Sequence, residues 1–275
     1  MLWPLSSFGL SGGGSALREP FLAGGGASPL PIFTWCLLFA IAGAAVGSFL
    51  GLVSLRYPRG EAVALGRSGC SSCGRTLGPL DLVPIVSFAA LRGRCRTCKA
   101  AIERRYPVIE VSAAAIGAIS ALLFPGWQAL AAALLGWWLL LLAVLDFEHY
   151  WLPDRLTYPL ILLGLAATAA FTPALLLHHA AGAALGFLLL WSLAAGYRAL
   201  RGRHGLGGGD AKLFAAAGAW LGYYDLPLVL LGAAGTALAA ALVLHRKGPG
   251  FLTKRMPFGS FLAPAIWIVY LSTRA

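Results

Sequence analysis

Residues 31–55 read PIFTWCLLFAIAGAAVGSFLGLVSL, 25 positions without a charged side chain. As an α-helix such a run extends about 37 Å, enough to cross the roughly 30 Å of hydrocarbon in a bilayer. The rest of the chain repeats the pattern. Of its 275 residues 59% are hydrophobic and 11% charged, and the mean hydropathy is +0.79. A soluble domain carries about 25% charged residues, so a soluble single-core fold is excluded. Further apolar stretches at about 107–124, 127–146, 157–175, 179–197, 211–224, 226–244 and 258–272 bring the expected spans to eight. The expected fold is an all-α polytopic membrane protein with one small loop domain.

The formal net charge is +11, from 21 Lys and Arg against 10 Asp and Glu. Ten of the basic residues fall between Arg56 and Arg105, opposed only by Glu61, Asp81 and Glu103, so this polar stretch holds most of the excess. Threading eight spans puts Arg155, Arg198, Arg201, Arg203, Lys212, Arg246, Lys247, Lys254 and Arg255 on the same face as that stretch. The opposite connections, around Pro125-Gly126, Phe171 to Leu177 and Asp225, contain no Lys or Arg. Positive charge is retained on the cytoplasmic side, which places the basic loop in the cytoplasm and both termini outside. The charge is then an orientation signal and requires no nucleic acid. Residues 1–30 are rich in Gly and Ser and lack the basic n-region of a signal peptide. They read as a disordered tail.

Cys70, Cys73, Cys95 and Cys98 form two C-x2-C pairs separated by 21 residues. Paired thiolates of this spacing can close a tetrahedron around zinc. Disulfides or free thiols remain the alternative, disfavoured by a reducing compartment. Around them Arg92, Arg94, Arg96 and Lys99 admit three readings, topology signal, contact with anionic lipid headgroups or a face for an acidic ligand, and the first suffices without the others. A domain of about 50 residues buries little core, so a bound metal would hold its fold. Cys36, alone in the first span, reads as a small buried apolar residue.

Carboxylates near apolar spans are costly and mark candidate sites. Asp146 closes the third span, and Gly207-Gly208-Gly209-Asp210-Ala211-Lys212 opens the sixth, both at the cytoplasmic edge by the threading above. Two carboxyl groups sharing a proton can work as base and acid on a peptide bond. The glycines permit an unusual turn and close approach of a substrate backbone. Simpler roles stay open: a solvated helix end for Asp146, a helix cap for Asp154, an inside-flank charge for Lys212, and solvated loop positions for Glu148 and His149. Glu110 lies deeper, one turn into the second span. The glycine run fits no phosphate-loop register.

Together these residues resemble the type IV prepilin peptidases, intramembrane aspartyl proteases of the GxGD type. The likeness runs in order through Gly47-Ser48-Phe49-Leu50, Arg56-Tyr57-Pro58-Arg59-Gly60, the four cysteines, Arg92-Gly93-Arg94-Cys95-Arg96 and Arg105-Tyr106-Pro107-Val108-Ile109-Glu110. It continues through Asp146 to Asp154, Gly207 to Lys212 and Pro257-Phe258-Gly259. Gly51 stands where the family commonly has Asn. The resemblance implies Asp146 and Asp210 as catalytic residues, with Gly207, Gly209, Lys212, Asp154 and Glu110 in support. It implies cleavage of the short basic leader of prepilins or pseudopilins of type IV pilus and type II secretion systems, at the cytoplasmic face of the bacterial inner membrane. It also implies N-methylation of the new terminus with S-adenosylmethionine. On this basis the chain divides into a tail (1–30), a first transmembrane helix (31–55), a cytoplasmic tetracysteine domain (56–106) and a seven-helix transmembrane peptidase core (107–275). The rival functions are a non-methylating intramembrane aspartyl protease and a non-enzymatic scaffold or transporter with a zinc loop.

Overall fold

The computed structural model describes residues 31–62, 68–202, 207–245 and 256–274. The expected tail 1–30 and the basic residues Arg67, Arg203, Arg246, Lys247, Lys254 and Arg255 lie outside the described residues. The uncharged run at 31–55 forms helix α1 (Ile32–Arg56). The polar stretch follows, with one short helix, α2 (Val86–Ala90). Then come α3 (Arg105–Leu123), α4 (Gly126–His149), α5 (Asp154–Phe171), α6 (Leu176–Arg201), α7 (Gly208–Leu221), α8 (Leu226–His245) and α9 (Gly259–Arg274). No strand occurs among the described residues, only two isolated bridges in the polar stretch. The chain is therefore an all-helical, multi-pass membrane protein.

Eight helices correspond to the eight apolar runs, and five of them, α1, α3, α4, α6 and α8, are long and apolar enough to cross a bilayer. The other three are shorter. Helices α7 and α9, with 14 and 16 residues, rise about 21 and 24 Å.

Helix α7 explains how a short helix is accommodated. From Ala211 to Leu221 every residue except Lys212 and Trp220 is buried. A helix apolar on all sides belongs inside a bundle rather than at its edge. Leu213, Phe214 and Leu221 pack with Leu142 of α4, Leu160 of α5, Leu190 of α6, Val229 of α8 and Ile266 of α9. A second cluster joins α1, α3 and α4 through Leu50, Val53, Ile109, Ala113 and Leu145.

Indole donors connect these helices. Trp137 Nε1 donates to Ala113 O (2.8 Å), Trp138 to Leu156 O (3.1 Å), Trp220 to Leu160 O (2.9 Å) and Trp267 to Ala132 O (3.0 Å). Each bond satisfies a donor that would be costly in an apolar surround. On the outside Leu162, Leu177, Leu231, Leu242 and Ile268 are exposed, the pattern that lipid tails require. Phe214→Ala, in the fully buried centre, is expected to cost about 3–5 kcal/mol. Reversible unfolding in mixed micelles checks this, with Leu242→Ala on the outer surface near zero.

Candidate active site

Asp146 lies in the last turn of α4 and is 5% exposed; Asp210, in the first turn of α7, is 6% exposed. The start of α7 follows from its sequence. Gly207 is the N-cap, and its N–H donates to Asp210 Oδ2 (3.2 Å), while Asp210 N–H donates back to Gly207 O (3.2 Å). The carboxylate thus caps its own helix and meets the positive end of its dipole. Gly209 faces Leu152, whose Cβ would lie 2.7 Å from any added Cβ; Gly208 faces open space. Of the two glycines singled out from the sequence, Gly209 is therefore closed in by Leu152, whereas a Cβ on Gly207 would make only ordinary contact with Asp210 Oδ2 at 3.4 Å.

Asp146 is held by the N-terminus of α9. Ser260 N–H donates to Asp146 Oδ2 at 2.9 Å. The Ser260 hydroxyl lies 3.3 Å from the same oxygen and 3.0 Å from Ala143 O, with one proton for the two. A Cβ on Gly259 would sit 2.9 Å from Asp146 Oδ2 and 2.9 Å from Leu152 Cδ1. Leu152 thus touches both Gly209, beside Asp210, and Gly259, against Asp146, and brings two carboxylates 64 positions apart in sequence to one side chain. Gly259 was visible in the sequence only as part of a motif, and Ser260 carried no signal.

The other nominated residues divide into two groups. Asp154, the first residue of α5, makes no cap bond; its Oδ1 pairs with Lys212 Nζ at 2.5 Å, and Lys212 also lies 5.2 Å over the Tyr158 ring. This pair ties α5 to α7 beside the aspartates. Glu110 sits elsewhere: its Oε2 accepts the Ile85 N–H at 2.7 Å. Ile85 has a positive φ of 62° and precedes α2. Glu110 therefore anchors the polar loop to α3.

In that loop the four cysteine sulfurs lie within 4.8 Å of one another, so the cluster could hold a metal ion. Each pair forms a tight hairpin: Cys70 N–H donates to Arg75 O (2.9 Å), and Cys95 N–H to Ala100 O (2.8 Å). The N–H groups of Cys73 and Ser72 stabilise the Cys70 thiolate and lower its pKa to about 6. Cys98, although the Ala100 N–H favours its thiolate, is pushed up to about 11 by burial and by the neighbouring thiols. Four thiolates together therefore call for a cation. Asp81, to which the sequence assigned no role, joins the hairpins by accepting from Arg75 (2.8 Å) and Arg96 (2.9 Å). The Arg96 hydrogen bond is the main reason its carboxyl is held below the usual range.

Glu148 is no solvated loop residue. Arg105, which opens α3, grips it through Nε (2.9 Å) and Nη2 (2.7 Å), and Nη2 also reaches Ser54 Oγ of α1 at 2.8 Å. The ends of α1, α3 and α4 are fastened together one turn from Asp146.

Residues 41–124 match the family model described as the bacterial peptidase A24 N-terminal domain, and residues 133–244 match that of the type IV leader peptidase family. The chain is 42% identical to the prepilin leader peptidase/N-methyltransferase of Aeromonas salmonicida strain A449, over 74% of this chain and 71% of that protein. The chain belongs to the type IV leader peptidase family. The prepilin leader peptidase/N-methyltransferase of Burkholderia pseudomallei strain 1026b is 39% identical, over 90% of this chain and 93% of that protein. In Escherichia coli O78:H11 the protein named type 4 prepilin-like proteins leader peptide-processing enzyme is 36% identical, over 82% of this chain and 90% of that protein. No solved structure matches the chain. As a member of this family the chain is an enzyme of the peptidase class.

Removing one partner of a mostly buried, bidentate pair leaves an uncompensated charge. Glu148→Ala is expected to cost about 2 kcal/mol, below the fully buried case because both side chains are partly exposed. Thermal unfolding in detergent should show a fall of about 4–8 °C, and Glu148→Gln, which keeps one acceptor, about half of it.

Proposed function

We propose that the chain removes the leader of type IV prepilins or pseudopilins at the cytoplasmic face of the bacterial inner membrane, with Asp146 and Asp210 as its catalytic residues. The observation that carries this is the contact of both helix starts with one side chain: Leu152 meets Gly209, beside the buried Asp210, and Gly259, which lies against the buried Asp146. A scaffold or transporter with two unrelated helix-end aspartates has no use for that contact. In this reading the charge-poor helices form the transmembrane peptidase core, and the basic tetracysteine segment faces the cytoplasm, with both termini outside. The substrate's apolar helix lies among lipid tails against the core, and its basic leader projects into the cytoplasm.

The chemistry follows from the unequal donor sets. Asp146 accepts from Ser260 N–H with the Ser260 hydroxyl nearby, and is the better placed to stay ionised and take a proton from water. Asp210 then holds the shared proton and donates it to the scissile carbonyl oxygen as the water oxygen bonds to carbon. Collapse of that adduct breaks the C–N bond, and a proton from the carboxyl pair passes to the departing amine. An unpaired stretch of substrate backbone at this depth needs a polar groove, which the helix ends at Gly207 and Gly259 border.

The tetracysteine site is assigned to zinc in a structural role. A zinc–thiolate tetrahedron with bonds of about 2.3 Å has sulfur–sulfur edges of about 3.8 Å, and Cys70 Sγ and Cys98 Sγ are 3.8 Å apart. Relatives named N-methyltransferases point to a second reaction here, methylation of the exposed amine. S-adenosylmethionine supplies the methyl group when bound.

Asp146→Asn and Asp210→Asn are each expected to abolish leader removal from a prepilin while the protein stays inserted at normal level; normal processing by either variant overturns the assignment. Gly259→Ala, whose methyl meets Asp146, should lower cleavage by about 10²-fold, the effect of misplacing a catalytic group by an ångström. Cys70→Ser should lose metal and loop order together, read by metal analysis and by proteolysis within residues 68–102.

A further inference from the structure

A cavity of about 580 Å3 lies beside the aspartates, lined by Tyr57, Glu61, Trp151, Asp154 and Arg155 among others. Its size falls in the roughly 300–1,000 Å3 of small-ligand sites. We propose that this cavity is the binding site for the methyl donor, a sulfonium nucleoside with an amino-acid tail. The proposal rests on the leader-peptidase reading above and extends it to the donor.

The walls suit such a molecule in three ways. Tyr57 and Trp151 stack on each other with centroids 5.8 Å apart and planes 22° apart, forming an aromatic wall on which a purine can lie. Glu61 stands on a fixed turn: its N–H donates to Arg56 O (3.1 Å), and Arg56 Nη1 reaches Ala62 O (3.3 Å). Among the described residues its carboxylate meets Arg59, at 3.9 Å with both side chains exposed, a loose pair that leaves it able to accept ribose hydroxyls. Arg155 on the rim matches the carboxylate of the tail, and Asp154, whose Oδ1 is held by Lys212, presents its second oxygen to the ammonium. A cationic leader segment fits less well, because Arg155, Arg59 and Lys212 oppose it.

Position supports the same assignment. Trp151 lines the cavity, and Leu152, the next residue, packs against Gly209 and Gly259, the glycines that frame the aspartates. Asp154, two residues on, is bonded to Lys212, itself two residues beyond Asp210. Consecutive Cα atoms are about 3.8 Å apart, so one short segment forms a wall of both sites. Its start is set by Tyr150, which ends α4 in the left-handed region at φ 54°. An amine freed at Asp146 and Asp210 therefore emerges next to the cavity. That nitrogen bonds to the methyl carbon as the carbon–sulfur bond breaks. Sulfur keeps the bonding pair and becomes a neutral thioether, and the nitrogen, now carrying the positive charge, loses one proton to water.

The test uses the full chain in lipid nanodiscs and S-adenosylhomocysteine, the unreactive product, in equilibrium dialysis. Wild-type protein is expected to bind it, and Glu61→Gln or Tyr57→Leu to bind about tenfold more weakly or worse, the value of a charged hydrogen bond or a stacked ring. Ultraviolet cross-linking of radiolabelled S-adenosylmethionine to the wild type, which needs no variant, should map to residues 57–61 or 151–155. Undiminished binding by both variants, or cross-links confined to 68–102, overturns the proposal. So does absence of binding by a wild type that cleaves a prepilin leader. A wild type that cleaves no leader refutes instead the reading on which the proposal rests.

Discussion

Backbone N–H groups at helix ends hold two carboxyl groups inside an apolar bundle, and much of the structure exists to make that tolerable. Burying a carboxylate costs several kcal/mol unless donors replace its water. Gly207 N–H supplies one to Asp210 at the start of α7, and Ser260 N–H one to Asp146 at the start of α9. Both helices must therefore begin at the depth of the carboxyls rather than at the membrane surface. This is why α7 and α9 are the short ones. It also explains the all-round burial of α7: a helix that starts inside the bundle must be covered by its neighbours, and α4, α5, α6, α8 and α9 provide the cover.

The same end of the bundle is braced by ion pairs that do not touch the aspartates. Arg105 binds Glu148 and Ser54, fixing α1 and α3 to the last turn of α4. Lys212 binds Asp154, fixing α7 to α5. The polar loop is attached separately, by Glu110 at Ile85, and braced internally by Asp81 between Arg75 and Arg96. Charges are few in this chain, and these pairs join helix to helix or loop to helix. The loop needs its clamp because the cysteine hairpins bury little surface.

Much of this was legible in the sequence, and the remainder was hidden for definite reasons. Apolar runs marked each long helix, since hydropathy reports apolarity directly. They misplaced some starts: the sixth run was expected from 211, but α7 begins at Gly208, because its cap and first turn are Gly and Asp rather than apolar residues. Hydropathy could not say that α7 is central, which depends on neighbours remote in sequence. The aspartates and the cysteines were visible as chemistry-bearing residues in apolar or patterned surroundings. Asp81, Glu148 and Ser260 were not. Each acts through a pairing 15 to 114 positions away, Asp81 with Arg96, Glu148 with Arg105 and Ser260 with Asp146, and a lone charge or hydroxyl in sequence looks the same whether it is paired or solvated.

The segment Tyr150 to Pro153 joins these levels. It is a connection of four residues between α4 and α5, too short to wander, and its first residue takes a backbone conformation that non-glycine residues rarely adopt. That turn sends Trp151 toward Tyr57 and Leu152 toward Gly209 and Gly259. A substrate that loses its leader at one side of this wall has its new terminus within a few residues' reach of the other side. In the proposed reading, two reactions on one chain end then need no release of the product between them, because the wall beside both aspartates also borders the cavity proposed for the donor.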